Sequence, residues 1–317
     1  MKRRDKEFIN GIKYSENKMA KKILRDAKIS KWIFYFMFLL ETITYILIVI
    51  NMANIKGLIF YSVAYIILAA WLGIRYMEYS RKSLSEAMED TICPEGVLNL
   101  SIYNAKKIIS NERAYNYALN NIAYAYIQLG ELDKATEMID YIEKRKIDNI
   151  LKSEIIQNKM DIAFYRNDIK KMKEECKNLN NIIKFLPKKY REKALLNRNI
   201  KQAIMDKNIE EVNNICDKLE KKKKLFNKVI AAYYRGLVLE KSKNKEYKTY
   251  YKFVAENGNN IMIANKAREK MKLGKTENIY NRKMHLGYKI FNLIILAILL
   301  ICTIFFGGYT IIRYFVL

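Results

Sequence analysis

Apolar residues along this chain follow two contrasting patterns. Three runs, at 32–51, 57–76 and roughly 289–312, are apolar around the whole circumference of a helix. Between the second and third runs, apolar residues instead recur every three or four positions within a polar background. A helix rises about 1.5 Å per residue, so about 20 residues cross the ~30 Å hydrocarbon layer of a bilayer. In lipid only helices or closed barrels satisfy their backbone polar groups, and these runs lack the alternation of barrel strands. They are therefore expected to be three transmembrane helices. Trp32, Tyr35, Trp71, Tyr76, Tyr288 and Tyr309 sit near their ends, where amphipathic aromatic rings prefer the interface. A cleaved signal peptide is not expected from the first run. Its apolar part is too long, no small-x-small site follows, and a second span starts a few residues later.

In the polar stretch, Tyr115, Leu119, Ile122, Ala123 and Tyr126 line one helix face. Asn111 is placed to cap this helix, with Glu112 at its positive dipole end, and Gly130 ends it. Leu132, Ala135, Met138, Ile139 and Ile142 line the next helix. Two amphipathic helices joined by a tight glycine turn make an antiparallel hairpin. This hairpin resembles a tetratricopeptide repeat at Leu119, Ile122, Ala123, Tyr126, Gly130, Leu132, Ala135 and Ile139, although the proline usual after the second helix is missing near Ile147. Weaker patterns follow. Ile156, Met160 and Ala163 lead through Asn167 to Ile169, Met172 and Cys176; Leu196, Ile200 and Ala203 lead through Lys207 to Ile209, Val212 and Cys216. A fourth pair places Gly236 at the small position. A helix near 95–109 is expected to cover the first repeat, and one near 260–272 to cap the last, since terminal repeats need a polar outer face. The expected fold is thus all-α: three transmembrane helices flanking a cytoplasmic tetratricopeptide-like α-solenoid of about four hairpins. A generic array of helical hairpins fits the same pattern. The segments are a basic N-terminal stretch (1–31), a transmembrane hairpin (32–76), the helical-repeat domain (77–287), and a last span with a short tail (288–317).

The resemblance implies partner binding in a curved groove. Tyr115, Tyr126, Tyr233 and Tyr234 are candidates to line it, although tyrosines at helical spacing are more commonly core residues. The partner's identity is not written in the sequence.

Charge sets the orientation. Residues 1–31 hold eleven Lys or Arg, whereas the link between the first two spans offers only Lys56. The positive-inside rule then places the N-terminus and the 77–287 segment in the cytoplasm of a multi-pass cell-membrane protein, and the C-terminal tail outside. The net charge is +25. An anionic leaflet attracts such a chain by about 1 kcal/mol per nearby Lys or Arg. Nucleic acid is not expected as a partner, because no zinc-finger, RRM, KH or helix-turn-helix signature occurs. Lys221, Lys222, Lys223 and Lys224 form a basic run that suits a helix C-terminus and a solvated turn, or alternatively contact with lipid headgroups or an acidic partner. Residues 5–29, with Phe8, Ile12, Met19 and Ile23 on one face, are expected to lie as a basic amphipathic helix on the membrane, or to be disordered.

Candidate chemistry is sparse. His285 is the only histidine, and the four cysteines show no CxxC spacing, so catalytic, cofactor and metal sites are not expected. The Gly-Lys-Thr at 274–276 lacks the glycine that a phosphate loop needs five residues earlier, where Glu269 stands. Glu41 is the exception. It lies mid-way along the first run, and ionisable residues inside membranes are functional candidates by default. It is expected to be neutral and hydrogen-bonded across helices to Ser62, Tyr65 or Thr303, to handle a proton or ion, or to meet another chain. Ser62, Ala69 and Gly73 form a small-residue face suited to packing against another span or a second copy. Three functions follow: a membrane-anchored adaptor, a subunit of a transport, secretion or export assembly using Glu41, and a membrane enzyme, for which no residue pattern speaks.

Overall fold

A computed structural model describes residues 2–51, 55–274, 295 and 297–305. Its elements are helices throughout: α1 (Lys2–Gly11), α2 (Lys18–Asn51), α3 (Ile55–Glu89), α4 (Pro94–Lys107), α5 (Glu112–Leu129), α6 (Leu132–Glu143), α7 (Asn149–Tyr165), α8 (Ile169–Ile183), α9 (Lys188–Met205), α10 (Ile209–Glu220), α11 (Leu225–Lys241), α12 (Tyr247–Asn257) and α13 (Met262–Met271). The chain is all-α, and no strand occurs among the described residues. It divides into two compact units. One joins Met1–Leu24 to Leu84–Ile279, and the other joins Arg25–Ser83 to Tyr280–Leu317.

The first unit is a stack of hairpins: α5/α6, α7/α8, α9/α10 and α11/α12, with α5, α7, α9 and α11 each touching the next. The turns come from local chemistry. Gly130, Asn167, Lys207 and Lys243 adopt left-handed backbone, with φ of 82°, 58°, 55° and 59°. At each, the following amide reaches back to an orphan carbonyl: Glu131 N to Tyr126 O, Asp168 N to Ala163 O, Asn208 N to Ala203 O and Asn244 N to Leu239 O, all at 2.8–2.9 Å. This is the bond that ends a helix at a left-handed residue. Asn111, Asp148, Asp168 and Asn208 then cap α5, α7, α8 and α10 by accepting from a backbone amide three residues on. The small positions Ala123, Ala163, Ala203 and Gly236 are all buried. A Cβ on Gly236 would lie 2.8 Å from the ring of Tyr251, so α11 and α12 meet at a distance only glycine permits.

The stack closes on its own beginning. α13 packs against α12 and also against α5, and α4 packs on α5. Met262 lies over Gly130. Asn259 donates to the carbonyls of Thr91 and Ile92, and Asn260 donates to Glu95. Ile92 is held at φ 47°, an uncommon backbone for a β-branched residue, and is fully buried there.

The second unit has a core of Met37, Leu40, Leu72 and Leu299, contributed by α2, α3 and the helical stretch 297–305. Its outside is apolar: Trp32, Phe36, Leu39, Ile43, Ile46, Ile59, Val63, Ile66, Ile67, Ile301, Ile304 and Phe305 are all exposed. Among the described residues one helix, α2, qualifies by length and composition to cross a membrane. Of the three expected spans, the described residues therefore show one that qualifies. In α3 the apolar stretch with that character is the shorter Tyr61–Arg75. Most of the third run, 289–312, lies outside the described residues, as do Tyr288, Tyr309, His285 and the tail.

The N-terminal stretch also departs from expectation. It is not one helix over 5–29. α1 ends at Gly11, 12–17 are non-helical, and α2 runs unbroken from Lys18 through the first apolar run. Asn17 sets the start of α2, its side chain accepting from the amides of Met19 and Ala20. Ile9, Met19 and Ile23 are buried, so the apolar side of this stretch is covered by protein.

Candidate functional site

One polar concavity inside the hairpin unit is a cavity of about 380 Å³. It is lined by successive first helices: Asn120, Asn121 and Tyr124 from α5, Glu154, Asn158 and Asp161 from α7, Lys193 and Asn197 from α9, and Phe226 and Asn227 from α11. The end of α3, through Leu84, Ser85, Met88 and Glu89, forms one wall. The lining is a hydrogen-bonded network. Asn158 donates to Asn120 Oδ1 at 2.9 Å, and Asn120 donates to Glu154 Oε2 at 3.0 Å. Burial raises the Glu154 carboxyl above its ordinary range, more than nearby Lys193 lowers it. Beneath the cavity, Lys201 is fully buried, ion-paired with Asp161 and hydrogen-bonded to Asn197 Oδ1. A buried ammonium persists only when paired in this way.

The four tyrosines proposed for a groove are all buried. Tyr233 and Tyr234 belong to an aromatic cluster shared by α7, α11 and α12. Phe164 meets Tyr234 edge-on at 6.4 Å, and Tyr233 lies 6.0 Å from Tyr251. Tyr251 donates to Glu240 at 2.7 Å. Tyr126 packs beneath Lys134, whose ammonium is 5.6 Å from its ring. The cavity is therefore walled by asparagines and charges rather than by these tyrosines.

Tyr115 belongs to a different construction. Its hydroxyl donates to the backbone carbonyl of Asp5 on α1 at 3.2 Å. The Asp5 carboxylate is itself buried, accepting from Tyr141 at 2.6 Å and from Arg145. Burial would push this carboxyl up, but the Tyr141 and Arg145 bonds together hold it below the usual value. The Arg145 guanidinium lies 5.1 Å from the Tyr115 ring and 5.8 Å from that of Tyr141, and its Nε is fixed by Asn116 Oδ1 at 2.6 Å. Phe8 stacks on Tyr141 with ring centroids 3.7 Å apart.

In the second unit Glu41 is only 3% exposed, and neither carboxylate oxygen has a hydrogen-bond partner among the described residues. The three partners expected for it are engaged elsewhere. Tyr65 meets Thr42 at 3.3 Å, Thr303 meets Thr44 at 2.7 Å, and Ser62 meets Tyr45 at 2.8 Å. Hydroxyl pairs thus join α2 to α3 and to the 297–305 stretch, while the Glu41 carboxyl has no hydrogen-bond partner among the described residues.

The basic run divides by position. Lys221 ends α10, Lys223 takes left-handed backbone at φ 54°, and Lys224 starts α11. Lys222 borders the cavity, while Lys224 pairs with Asp90 at 2.9 Å. Among the described residues no cluster of His, Cys, Asp or Glu could hold a metal. Cys93 and Cys216 are buried thiols pushed up to about 12, chiefly by desolvation, the opposite of an activated nucleophile.

The ion pairs Asp5–Arg145 and Asp161–Lys201 left no local signal in the sequence, because each joins segments far apart along the chain. Comparison with protein-family models, curated proteins and solved structures finds no match to this chain.

Proposed function

We propose that this protein is a membrane-anchored scaffold. Three spans, at 32–51, 57–76 and roughly 289–312, hold a tetratricopeptide-like array at the cytoplasmic face, where it binds a protein partner. The observation that carries this reading is the contrast between the two units. One turns apolar side chains outward over most of its described surface, as a protein does toward lipid. The other is a hairpin array enclosing a cavity within the size range of ligand sites. Carboxamides of Asn120, Asn121, Asn158, Asn197 and Asn227 come from the first helices of four successive hairpins, and each can both donate and accept. That lining suits the backbone of an extended peptide segment better than an apolar ligand. The basic residues before the first span favour a cytoplasmic N-terminus and attraction to anionic lipid.

Photo-crosslinking residues at Asn121 and Asn227 of the full chain, in native membranes, test the binding site. The same discrete protein adduct is expected from both and none from Glu174, an exposed residue of α8. Equal adducts from all three positions, or none, would remove the cavity as the partner site. Cysteines placed at Asn54 and Lys222 are expected to label from opposite sides of the membrane, and labelling from one side would refute the topology.

A second reading, a subunit of a transport or export assembly, draws on the isolated Glu41 carboxyl alone. Glu41→Gln is expected to leave assembly and adduct formation intact under the scaffold reading. Loss of a transport or signalling output with adducts preserved favours the second reading.

A further inference from the structure

We infer that the face of α5 and α6 beneath α1 is a docking site for an acidic-aromatic helix, and that α1 is its resident occupant, displaced when a partner helix of the same pattern binds. None of its residues lines the central cavity, so this site is separate from the one proposed above. The site reads a helix by three features. Arg145, Tyr141 and Tyr115 hold the side chain and carbonyl of Asp5. The Tyr141 ring takes Phe8, three residues on, and Ile9, the next residue, is buried. A carboxylate followed at the third and fourth positions by an aromatic and an aliphatic residue makes one helix face.

Three observations mark α1 as replaceable. It fills its berth incompletely: cavities of about 680 and 770 Å³ lie against it, the first beside Arg4 and Phe8, the second beside Phe8, Gly11 and Ile12. Its central ion pair is unfinished. Asp5 Oδ2 and Arg145 Nη2 are buried without hydrogen-bond partners, and Glu112 is 3.8 Å from that nitrogen. A carboxylate able to sit bidentate on Arg145 would gain the second bond that Asp5 leaves unmade. Finally, α1 has ten residues, fewer than the about 12–15 at which an isolated helix holds in water, and 12–17 tether it without helix. Once undocked, it has no structure of its own to retain.

The test uses the full chain in detergent and a fluorescent peptide of residues 2–15. In the native chain the tethered α1 occupies the site, which lowers apparent affinity by the fraction of sites left open. The peptide is therefore expected to bind a chain carrying Asp5→Asn and Phe8→Ala at least about tenfold more tightly than the native chain. The peptide's own Asp5→Asn form should lose at least about tenfold, and Arg145→Gln in the chain should abolish binding. Because Arg145→Gln also risks the local fold, hydrogen exchange on the native chain provides an independent reading: amides of α1 are expected to exchange far faster than those of α5. Equal binding to native and substituted chains, equal binding of a scrambled peptide, exchange in α1 as slow as in α5, or a dimer that trades α1 between two copies would each overturn the inference.

Discussion

Asn260, just before the last helix of the hairpin unit, donates its side-chain amide to Glu95 Oε1 at 3.1 Å across 165 residues of chain. The same carboxylate oxygen accepts from Asn17 at 3.2 Å. One buried acid therefore ties the stretch before α2 and the stretch before α13 to α4. Glu95→Ala leaves both amides without their charged acceptor and is expected to cost about 1.5–3 kcal/mol. Asn260→Ala removes one neutral donor and is expected to cost about 1 kcal/mol. Melting of the full chain followed by circular dichroism checks both, and an unchanged midpoint for Glu95→Ala would refute the role given to it.

Asp161 and Lys201 form the buried ion pair beneath the cavity, with the Lys201 side chain 1% exposed. Removing only the acid strands an ammonium, so Asp161→Ala is expected to destabilise by about 3–5 kcal/mol. Replacing both, Asp161→Leu with Lys201→Met, removes the two charges together and is expected to cost much less. If the double substitution melts no higher than Asp161→Ala, the pair is not the reason for the loss.

Gly236 supplies the closest approach between α11 and α12. Gly236→Ala would push a methyl group to 2.8–2.9 Å from carbons of the fully buried Tyr251 ring, whose hydroxyl is bonded to Glu240. The expected loss is about 1–3 kcal/mol, from overpacking. Gly73→Ala, where a Cβ would meet nothing within 4 Å, serves as the control and is expected to be tolerated.

Alkaline pH should weaken the hairpin unit. Burial pushes the thiols of Cys93 and Cys216 and the phenols of Tyr117, Tyr141 and Tyr233 up to about 12, from ordinary values of 9.0 and 10.0. The folded state holds these protons more tightly than the unfolded chain. Their contribution is therefore complete below pH 9 and is lost as pH rises toward 12. Melting midpoints are expected to fall across that window, while alkylation of Cys93 and Cys216 stays slow wherever the helices persist. Rapid alkylation at pH 9 with full helicity would show that the thiols are not desolvated.

Much of this architecture could be read from local pattern. The turns at Gly130, Asn167 and Lys207 and the small positions Ala123, Ala163, Ala203 and Gly236 sit where periodicity puts them, and Asn111 caps α5. A turn or cap is decided by a few neighbouring residues, so it leaves a short-range trace. The long-range contacts were less legible. Asp5 meets Arg145 across 140 residues, and nothing near either residue announces the other. Tyr233 and Tyr234 carry the same helical spacing whether they face a groove or fill a core, and only their packing against Phe164 of α7 and Tyr251 of α12 makes them core. The apolar run of α2 was plain, yet its unbroken continuation back to Lys18 was not, because the basic residues before Trp32 follow a different composition from the rest of the same helix.

An open stack of helical hairpins melts from its extremities, since each terminal hairpin has a single neighbour to hold it. Here α13 has α5 as well as α12, so the final turn of helix is no weaker by position than the first. Loss of any one hairpin would separate Asn260 from Glu95 and expose both. The number of hairpins is consequently not a free variable: duplication or deletion of a hairpin, which an open stack accommodates, would leave this one with ends that no longer meet.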